Sequence, residues 1–339
     1  ELARRQKGYG RGGRMAIEKD EAEILSGVRG RRSLGGPIAL MIPNKDFKIN
    51  ELPVVKRPRP GHADLVGVMK YGQEDVRDVL ERASARETTA RVAVGALCKI
   101  FLREFGVGIL SHVVCIGGVR FDAKGMTFEE IRKESKDSPM HCADKAATKK
   151  MMARVDEARV TKDTIGGIFE VVVKGVPPGL GSFVHYDRRL NAKLGASLMS
   201  IQAVKGVEVG MGFKVSETLG KQVHDEIFHS KKKGFYRKTN NAGGFEGGVT
   251  NGENLVLRAA TKPYATLMQP LQSVNIDTKE KGLATVERSD VTAVPACGVV
   301  GEAMAAFELA NSFLEKFGGD SLKETLRNYK GYLKQLAEF

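Results

Sequence analysis

The sequence contains no tryptophan, and aromatic residues make up only 6% of its 339 positions. It also lacks the residue spacings of common metal and redox sites. The four cysteines are scattered without a Cys-x-x-Cys pair, and the six histidines form no His-Glu-x-x-His pattern. Because structural zinc sites and disulfide frameworks need closely spaced or paired ligands, the sequence predicts neither. We therefore expect no metal cofactor, and cysteines that are mostly reduced core residues.

The sequence has neither a run of 18 apolar residues nor a recognisable signal peptide, so we expect a cytoplasmic protein with no membrane partner. Its hydrophobic content of 42% is sufficient for a sizeable core. Lysine and arginine outnumber aspartate and glutamate by 54 to 41, which gives a formal net charge of +13. This excess predicts an anionic partner: nucleic acid, an acidic membrane surface or a phosphorylated small molecule.

Residues 57–91 combine one histidine with several arginines. Prolines and a glycine precede His62, so the sequence predicts that this histidine is presented from a fixed loop. Ser84, with Glu87 three residues later, has the spacing of a capping box at the start of a helix over 84–105. Helix N-termini favour anions, so this stretch is a candidate phosphate site. A solvent-exposed helix start that caps itself is the simpler alternative, and the residues alone leave both open.

The glycine loop near the N-terminus formally satisfies Gly-x-Gly-x-x-Gly, yet the predicted order here is helix, loop, strand. A dinucleotide-binding fold has the strand first, so we do not expect one. Arg5, Arg11 and Arg14 lie on or beside this loop and are candidates for closing over an anion, or for binding RNA. A mobile basic surface loop is the simpler alternative.

Hydrophobic periodicity predicts an alternation of hairpins and helices. The predicted elements are an antiparallel hairpin over 15–42, helices over 139–161, 191–206 and 291–317, a mobile basic segment over 229–238, a glycine-rich hairpin over 239–263 and a polar helical tail. Gly27-Val28 is echoed by Gly248-Val249, and a Phe-Leu-x-x-Phe-Gly helix end recurs. These echoes indicate a duplicated unit over 15–160 and 163–320, with two long helices at the centre and sheets outside.

Two residues are candidates for proton transfer. His62 is one, because imidazole titrates near neutral pH and a departing phosphate needs a proton or positive charge. A hydrogen-bonded turn histidine is the alternative. Asp290 precedes a predicted buried helix and is either a base or the N-cap of that helix. Arginine forks bind phosphate and carboxylate oxygens bidentately, so the arginine-bearing segments suit a ligand with several anionic groups if they converge.

Ordered motifs along essentially the whole chain resemble the chorismate synthase family. They include RRQKGYGRGGRM at 4–15, RPGHADL at 59–65, SARET at 84–88, GVPPGLGS at 175–182, NNAGG at 240–244 and TVERSD at 285–290. The resemblance implies an α+β fold, a β/α/α/β sandwich with internal duplication and antiparallel outer sheets around central helices. It also implies one domain over 1–339 that assembles as a homotetramer.

The activity that the resemblance implies is conversion of 5-enolpyruvylshikimate 3-phosphate to chorismate and phosphate, the last step of the shikimate pathway in aromatic amino acid biosynthesis. The family carries out this 1,4-anti-elimination with reduced FMN, and NADPH is a possible reductant. A carbon–oxygen lyase of this kind binds a small-molecule substrate and needs no nucleic acid.

The resemblance also implies roles for individual residues. It implies that His62 and Asp290 are the catalytic proton-transfer groups. It implies flavin contacts from Arg82, Ala83, Ser84, Gln202, Ala203, Gly247, Lys262, Pro263, Tyr264, Ala265, Thr266 and Arg288. Arg5 and Arg11 match positions associated with substrate or NADPH, and the further candidates for substrate anions are Arg14, Arg59 and Arg86.

Three departures from the family pattern stand out. The family opens with a strand and a GESHG motif whose histidine is proposed to protonate the leaving phosphate, and nothing of the kind precedes Glu1. We expect that the sequence begins late, and an inactive form is the alternative. The loop before residue 53 is short. RASAR at 82–86 replaces the usual RSSAR, which removes one hydroxyl near the flavin.

Two other functional classes fit the sequence less well. A nucleic-acid-binding protein that used the arginine–glycine loop and the lysine-rich segment would need stacking aromatics beside them, and only Tyr9 and Tyr236 are near. A pyridine-nucleotide oxidoreductase would need the strand-first dinucleotide motif. The sequence therefore favours a small-molecule enzyme.

Overall fold

The structure, a computed structural model, describes residues 1–12, 19–45, 49–287 and 289–339 of the chain. The helices are α1 (Leu2–Gln6), α2 (Asp64–Tyr71), α3 (Val76–Arg82), α4 (Thr88–Arg103), α5 (Phe128–Lys136), α6 (Lys145–Val160), α7 (Leu190–Met199), α8 (Gly220–Val223), α9 (Val294–Phe317) and α10 (Leu322–Glu338). Short 3-10 turns span Ile49–Glu51, Ala85–Glu87, Tyr186–Arg188 and Gly212–Glu217.

The strands fall into one larger sheet and several two-stranded ribbons. They are β1 (Glu23–Ile24), β2 (Val28–Arg29), β3 (Arg32–Ser33), β4 (Leu40–Met41), β5 (Gly108–Ile116), β6 (Val119–Arg120), β7 (Gly167–Lys174), β8 (Val204–Val209), β9 (Ile227–Ser230), β10 (Gly234–Arg237), β11 (Phe245–Glu246), β12 (Val249–Thr250), β13 (Leu255–Thr261), β14 (Gln272–Val274) and β15 (Lys281–Leu283).

The larger sheet is antiparallel and has the order β6–β5–β7–β13–β8. Its side chains alternate as expected for a sheet whose two faces differ. In β13, Leu255, Leu257 and Ala259 are fully buried, whereas Val256 and Arg258 between them are only half-buried. The buried face therefore marks where the helices pack.

The helix α9 covers this buried face and forms the centre of the molecule. It begins with Pro295 in its first turn, where the missing N–H costs nothing, and ends at Gly318, which has a positive φ of 57°. Most of its residues are small or apolar, and they are buried around most of the helix. None of the helices in the described ranges is both long and apolar enough to cross a membrane.

Two glycines set how closely α4 and α9 approach the rest of the core. A Cβ on Gly301 would lie 2.5 Å from the Phe169 ring, so α9 rests directly on β7. A Cβ on Gly95 of α4 would lie 2.3 Å from Cβ and 2.5 Å from Cα of Ala303. The two long helices therefore cross almost in backbone contact.

We expect Gly95→Ala to lower the free energy of unfolding by about 2 kcal/mol. Overpacking a core costs about 1–3 kcal/mol, and alanine restores about 1 kcal/mol of helix propensity. Because a backbone atom of Ala303 is among those in the way, the overpacking cost lies at the upper end. Denaturant unfolding measures the effect, and Gly195→Ala on α7 is the control, since a Cβ there meets nothing within 4 Å. Equal stability of the two variants would contradict the close crossing.

The predicted helices over 139–161, 191–206 and 291–317 are confirmed as α6, α7 and α9 but are shorter than predicted, since α6 begins only at Lys145 and 204–206 belong to β8. The α+β class is confirmed. The N-terminal hairpin is confirmed where β1 pairs with β4, although 13–18 lies outside the described residues. The predicted capping box is wrong: the Ser84 hydroxyl caps a 3-10 turn by accepting from the Arg86 N–H (3.3 Å), while Glu87 bonds to other side chains.

The prediction of a mobile basic segment over 229–238 is also wrong. The structure has a β9–β10 hairpin there. Aromatic pairs across the strands support it, with His229 and Phe235 ring centroids 5.0 Å apart and Phe228 and Tyr236 5.8 Å apart. Lys238 Nζ lies 4.0 Å from the centroid of the Phe228 ring, so a lysine stabilises the hairpin through a cation–π contact.

Candidate active site

His62 lies on a loop immediately before α2, as the sequence predicted. Gly61 has a φ of +78°, which permits the turn, and α2 begins two residues after His62 with Asp64. The flanking Arg59 and Asp64 are 7% and 1% exposed, whereas the His62 side chain is 24% exposed. The imidazole is thus held on a buried charged base and still reaches solvent.

The buried base is a chain of hydrogen bonds. Arg59 donates from Nε to Oδ2 of Asp64 (2.8 Å) and from Nη1 to Oγ1 of Thr266 (2.6 Å). Nδ1 of His62 lies 2.5 Å from Oδ1 of Asp64. Burial raises the pKa of Asp64, but the hydrogen bonds from His62 and Arg59 lower it by more than burial raises it. The pKa of Asp64 is therefore well below its usual range. Asp64 is therefore a carboxylate at neutral pH.

The segment 262–266 lies against this loop. Lys262 donates from Nζ to the Gly61 carbonyl, and its backbone N–H donates to the carbonyl of Ala203 (2.9 Å). The Ala265 Cβ lies 3.7 Å from where a Cβ on Gly61 would be. Burial, and secondarily the charge of Lys205, lowers the pKa of Lys262. Lys262 thus lies beside the His62 loop with the charge of Lys205 near it, an arrangement that attracts anions.

A cavity of about 420 Å³, here the Ser84 cavity, lies at the start of α4. Its walls are Ile38, Leu40, Ile42, Asn44, Glu81, Arg82, Ser84, Arg86, Glu87, Thr89, Ala90 and Val94. Gln202 donates from Nε2 to Glu87 (2.9 Å), and its buried Oε1 has no hydrogen-bond partner among the described residues. Burial raises the pKa of Glu87, but hydrogen bonds from Arg91 and Gln202 outweigh burial and lower it. Ala83 joins Arg82 to Ser84 at the end of α3.

A second cavity of about 310 Å³, the Asp290 cavity, lies between the N-terminal loop and the turn after α6. It is lined by Gly10, Arg11, Gly12, Arg159, Lys162, Asp163, Thr164, Thr266, Met268, Ser289, Asp290 and Val291. Asp290 accepts from the Gly12 N–H (2.6 Å), and Arg11 Nη1 lies 3.0 Å from its Oδ2. The alternative of Asp290 as a helix N-cap is wrong, because α9 begins after Ala293 with no side-chain cap.

Arg5 and Arg86 are joined by a buried carboxylate. The Asp20 side chain is 2% exposed and lies 2.7 Å from Arg86 and 3.7 Å from Arg5. Arg5 also donates to Oγ1 of Thr88 (2.9 Å) and to the Ala85 carbonyl (2.9 Å). Arg5 thereby ties α1 to the start of α4, and Arg86 reaches the Ser84 cavity from the other side of Asp20.

Two neutral groups lie near these charges. Burial, with smaller contributions from nearby Cys297 and Asp290, raises the pKa of Tyr264 despite the opposing charges of Arg11 and Arg5. Burial likewise raises the pKa of the Cys297 thiol to about 11. Both groups are protonated at neutral pH, so the phenol is available as a hydrogen-bond donor and the thiol is not a nucleophile.

The structure brings together most, but not all, of the residues that the sequence singled out. The His62 loop, 262–266, Ala203 and the walls of the two cavities are connected by the contacts above. Gly247 lies apart from the other candidates, at the opposite end of α7. The carbonyl of its neighbour Gly248 accepts from the N–H of Leu190, the first residue of α7, whereas Gln202 follows the last turn of that helix. The ten residues of α7 extend about 15 Å, and that distance separates Gly247 from the rest. Pro263 is exposed, and Arg14 and Arg288 lie outside the described residues.

Sequence reasoning missed the acidic partners of the site. Asp64 stands two residues after His62 at a helix start, and this spacing is a signal that could have been used. Asp20 gives no such signal, since its partners Arg5 and Arg86 are distant in sequence. Arg59 was expected to face substrate, but the structure directs its guanidinium to Asp64, Thr266 and His62.

The fold and the site together define an α+β enzyme with two cavities that cationic side chains help to line. The comparisons are specific. The chorismate synthase family model matches residues 1–314. Chorismate synthase of Geobacter sulfurreducens is 52% identical over 359 residues, which cover 100% of this chain and 91% of that protein. The enzyme of Carboxydothermus hydrogenoformans is 53% identical over 350 residues, with the same coverage.

A solved structure, described as the crystal structure of chorismate synthase, is 42% identical and superposes with a TM-score of 0.81, covering 100% of this chain and 88% of that chain. The chain belongs to the chorismate synthase family. It is accordingly a carbon–oxygen lyase of the shikimate pathway.

Proposed function

We propose that this chain converts 5-enolpyruvylshikimate 3-phosphate to chorismate and phosphate by 1,4-anti-elimination with reduced FMN. The observation that carries the proposal is the connection of the His62 loop to two cavities that arginine and lysine side chains line. The substrate has a phosphate and two carboxylates, and FMN adds another phosphate. Bringing such polyanions together requires cations at close range.

The Ser84 cavity fits a flavin by its chemistry and size. Its volume of about 420 Å³ lies within the usual range for ligand sites. One side is apolar, with Ile38, Leu40 and Val94, which suits a flat aromatic ring system. The other side has Arg82 and a hydroxyl, and the unpartnered Oε1 of Gln202 is an acceptor nearby. Arg82, Ala83, Ser84, Gln202, Ala203 and Lys262 to Thr266 would hold the group, and we propose Gly247 and Arg288 as further contacts.

When bound, reduced FMN supplies electron density that helps the carbon–oxygen bond to phosphate to break. The chain's own residues do the rest. His62 presents Nε2 as a proton carrier, because Nδ1 is engaged by Asp64. Asp290 is the acidic group proposed to assist transfer of the proton lost from the ring, and Arg11 and the Gly12 N–H fix its orientation. Lys262 offsets the charge of the departing phosphate.

The remaining cations have supporting roles in this proposal. Arg5 and Arg11 border the ligand space, with Arg14 and Arg86 as further candidates for substrate anions, and NADPH is a possible reductant at the same basic surface. Arg59 is assigned to orienting His62 instead. Burial of the Cys297 thiol and of the Tyr264 phenol keeps both neutral, so neither competes with Asp290 for the proton.

We also propose the finer architecture that the family resemblance implies. The chain would form one domain over 1–339 with pseudo-repeats over 15–160 and 163–320, arranged as a β/α/α/β sandwich and assembled as a homotetramer. The repeated Phe-Leu-x-x-Phe-Gly pattern at two helix ends supports the duplication, and the two ends pack together, with the ring centroids of Phe105 and Phe313 5.0 Å apart. The four cysteines are free thiols, which supports the cytoplasm as its location. No nucleic-acid or membrane partner is proposed.

The proposed function predicts release of phosphate from 5-enolpyruvylshikimate 3-phosphate by the purified protein, expressed from its complete gene and supplied with reduced FMN without air. Chorismate and phosphate should appear in equal amounts, and both are measured directly. An oxidised-FMN reaction is the control and should show neither product. If a flavin-saturated sample yields no phosphate, the proposal is wrong. A parallel reaction with NADPH as sole reductant tests whether the protein reduces its own flavin.

A further inference from the structure

We propose that Asp64, held in place by Arg59, fixes the tautomer and orientation of His62, so that Nδ1 carries the proton and Nε2 faces the ligand space. Asp64 and Arg59 are thus positioning residues. The inference rests on the proposed role of His62 for its catalytic consequence, but not for its structural content. The observation behind it is the buried hydrogen-bond chain from Thr266 through Arg59 and Asp64 to His62.

The geometry decides which ring nitrogen is protonated. Nδ1 of His62 lies 2.5 Å from Oδ1 of Asp64 and 3.1 Å from Nη2 of Arg59. A guanidinium can only donate hydrogen bonds and a carboxylate can only accept them. Nδ1 can therefore bond to one of the two: to Asp64 if it carries a proton, or to Arg59 if it does not. The shorter contact is with Asp64, and Asp64 is ionised because its hydrogen bonds hold its pKa below the usual range. Nδ1 therefore donates, and the lone pair of the neutral ring is on Nε2.

Arg59 keeps the carboxylate from turning away. Its backbone N–H and Nε both donate to Oδ2 of Asp64, at 3.0 and 2.8 Å, and Nη2 donates to Oδ1 at 3.1 Å. Thr266 accepts from Nη1 and anchors the far end of the guanidinium. With Asp64 1% exposed, water cannot replace these bonds. Nε2 of His62 makes no hydrogen bond to any described residue, and the side chain is 24% exposed, so this nitrogen is open to a ligand.

Asp64→Asn removes the negative charge of the side chain and keeps its shape. The amide oxygen should take the Oδ2 position, where two donors of Arg59 meet it. The amide NH2 then faces Nδ1 of His62, and Nδ1 must accept, which moves the ring proton to Nε2. An Asp-to-Asn change that leaves geometry intact but selects the wrong tautomer costs about 10⁴-fold in turnover in serine proteases. We expect turnover here to fall by about 10²–10⁴-fold with a much smaller change in KM.

The direct readout is the tautomer itself, from ¹⁵N chemical shifts of the imidazole in the whole protein, assigned by the signals that His62→Ala removes. The native protein, measured where the ring is neutral, should show Nδ1–H, and Asp64→Asn should show Nε2–H. Native Nε2–H, or an unchanged tautomer in the variant, overturns the inference. The spectrum of the native protein alone can overturn the inference, so the test remains valid even if Asp64→Asn does not fold.

Activity then separates this inference from the proposed function. If the tautomer changes and turnover does not, the positioning stands and the catalytic role of His62 is wrong. Asp225→Asn is the matched control, since Asp225 also accepts several hydrogen bonds, from Thr239 and from the N–H groups of Asn241 and Ala242, but lies outside the site. It should leave both the tautomer of His62 and the turnover unchanged. Restored Nδ1–H in Asp64→Glu would add support.

Discussion

Replacing His62 with alanine is expected to lower turnover by about 10²–10⁴-fold, the usual contribution of a positioned acid or base. The affinity for reduced FMN should stay within about tenfold, or about 1.4 kcal/mol, because His62 is not among the residues that line the Ser84 cavity. The physical reason is that Nε2 is the one ring nitrogen left open after Asp64 engages Nδ1. Single-turnover phosphate release and flavin titration under anaerobic conditions measure the two quantities.

The control for this variant is His229→Ala. His229 is exposed on the β9–β10 hairpin, so its loss removes an imidazole from the protein without touching the site. Turnover of His229→Ala should equal that of the native protein. If His62→Ala retains native turnover, His62 has no part in the reaction. If instead flavin affinity falls with turnover in the same proportion, the histidine holds the cofactor rather than moving a proton.

The elements of the fold were largely predictable because their signals are local. The apolar run of α9, the valine-rich run of β7 and the proline–glycine turn before His62 all lie within a few residues of the structure they produce. The order of strands in the sheet was not predictable in this way. Strand β13 lies between β7 and β8, and pairing of Leu255 with Val173 depends on contacts between residues far apart in sequence. Local patterns contain no information about such pairing.

The site was predictable to a similar degree and for the same reason. Motif matching singled out His62, Ser84 and Lys262, and contacts in the structure connect the segments that contain them. It also made Arg59 and Arg86 candidates for substrate anions, but it could not show that both form ion pairs with buried carboxylates of the chain itself. An arginine's charge is visible in a sequence, but its partner is a matter of tertiary structure. Arg59 and Arg86 therefore pair with carboxylates of the chain, while Lys205 is exposed and the half-buried Lys262 donates to the Gly61 carbonyl.

The prediction with the largest expected effect on stability concerns Glu302, at the centre of α9. Its side chain is fully buried and accepts a bidentate pair of bonds from Arg4 (2.8 and 2.7 Å), a bond from Lys99, and bonds from the Ser111 N–H and hydroxyl. The carboxylate thus joins α1, α4, β5 and α9. Removing one partner of a buried ion pair leaves the other charge uncompensated and costs about 3–5 kcal/mol. Glu302→Gln should lower the free energy of unfolding by that amount near neutral pH.

The pH dependence supplies an independent check. Burial raises the pKa of Glu302, but Lys99 and Arg4 outweigh burial and lower it from 4.5 to about 2. A group whose pKa is lower in the folded state than in the unfolded state stabilises the native state at pH values above the unfolded-state pKa. This contribution is therefore complete above pH 4.5 and is lost as the pH falls towards 2. The shift corresponds to about 3 kcal/mol, in agreement with the cost of removing one partner. The stability gap between native protein and Glu302→Gln should therefore shrink between pH 5 and pH 2.

Urea unfolding at fixed protein concentration, repeated at pH 6 and at pH 3, measures the gap. Glu308→Gln is the control, because Glu308 lies on the same helix six residues later and its partner is the neutral hydroxyl of Ser197 (3.1 Å). Its unfolding should differ little from that of the native protein at either pH. A pH-independent gap for Glu302→Gln would mean that the amide disturbs packing rather than charge. Since α1 is anchored to the core through Arg4 and to the site through Arg5, the charged form of Glu302 also helps to keep Arg5 at the start of α4.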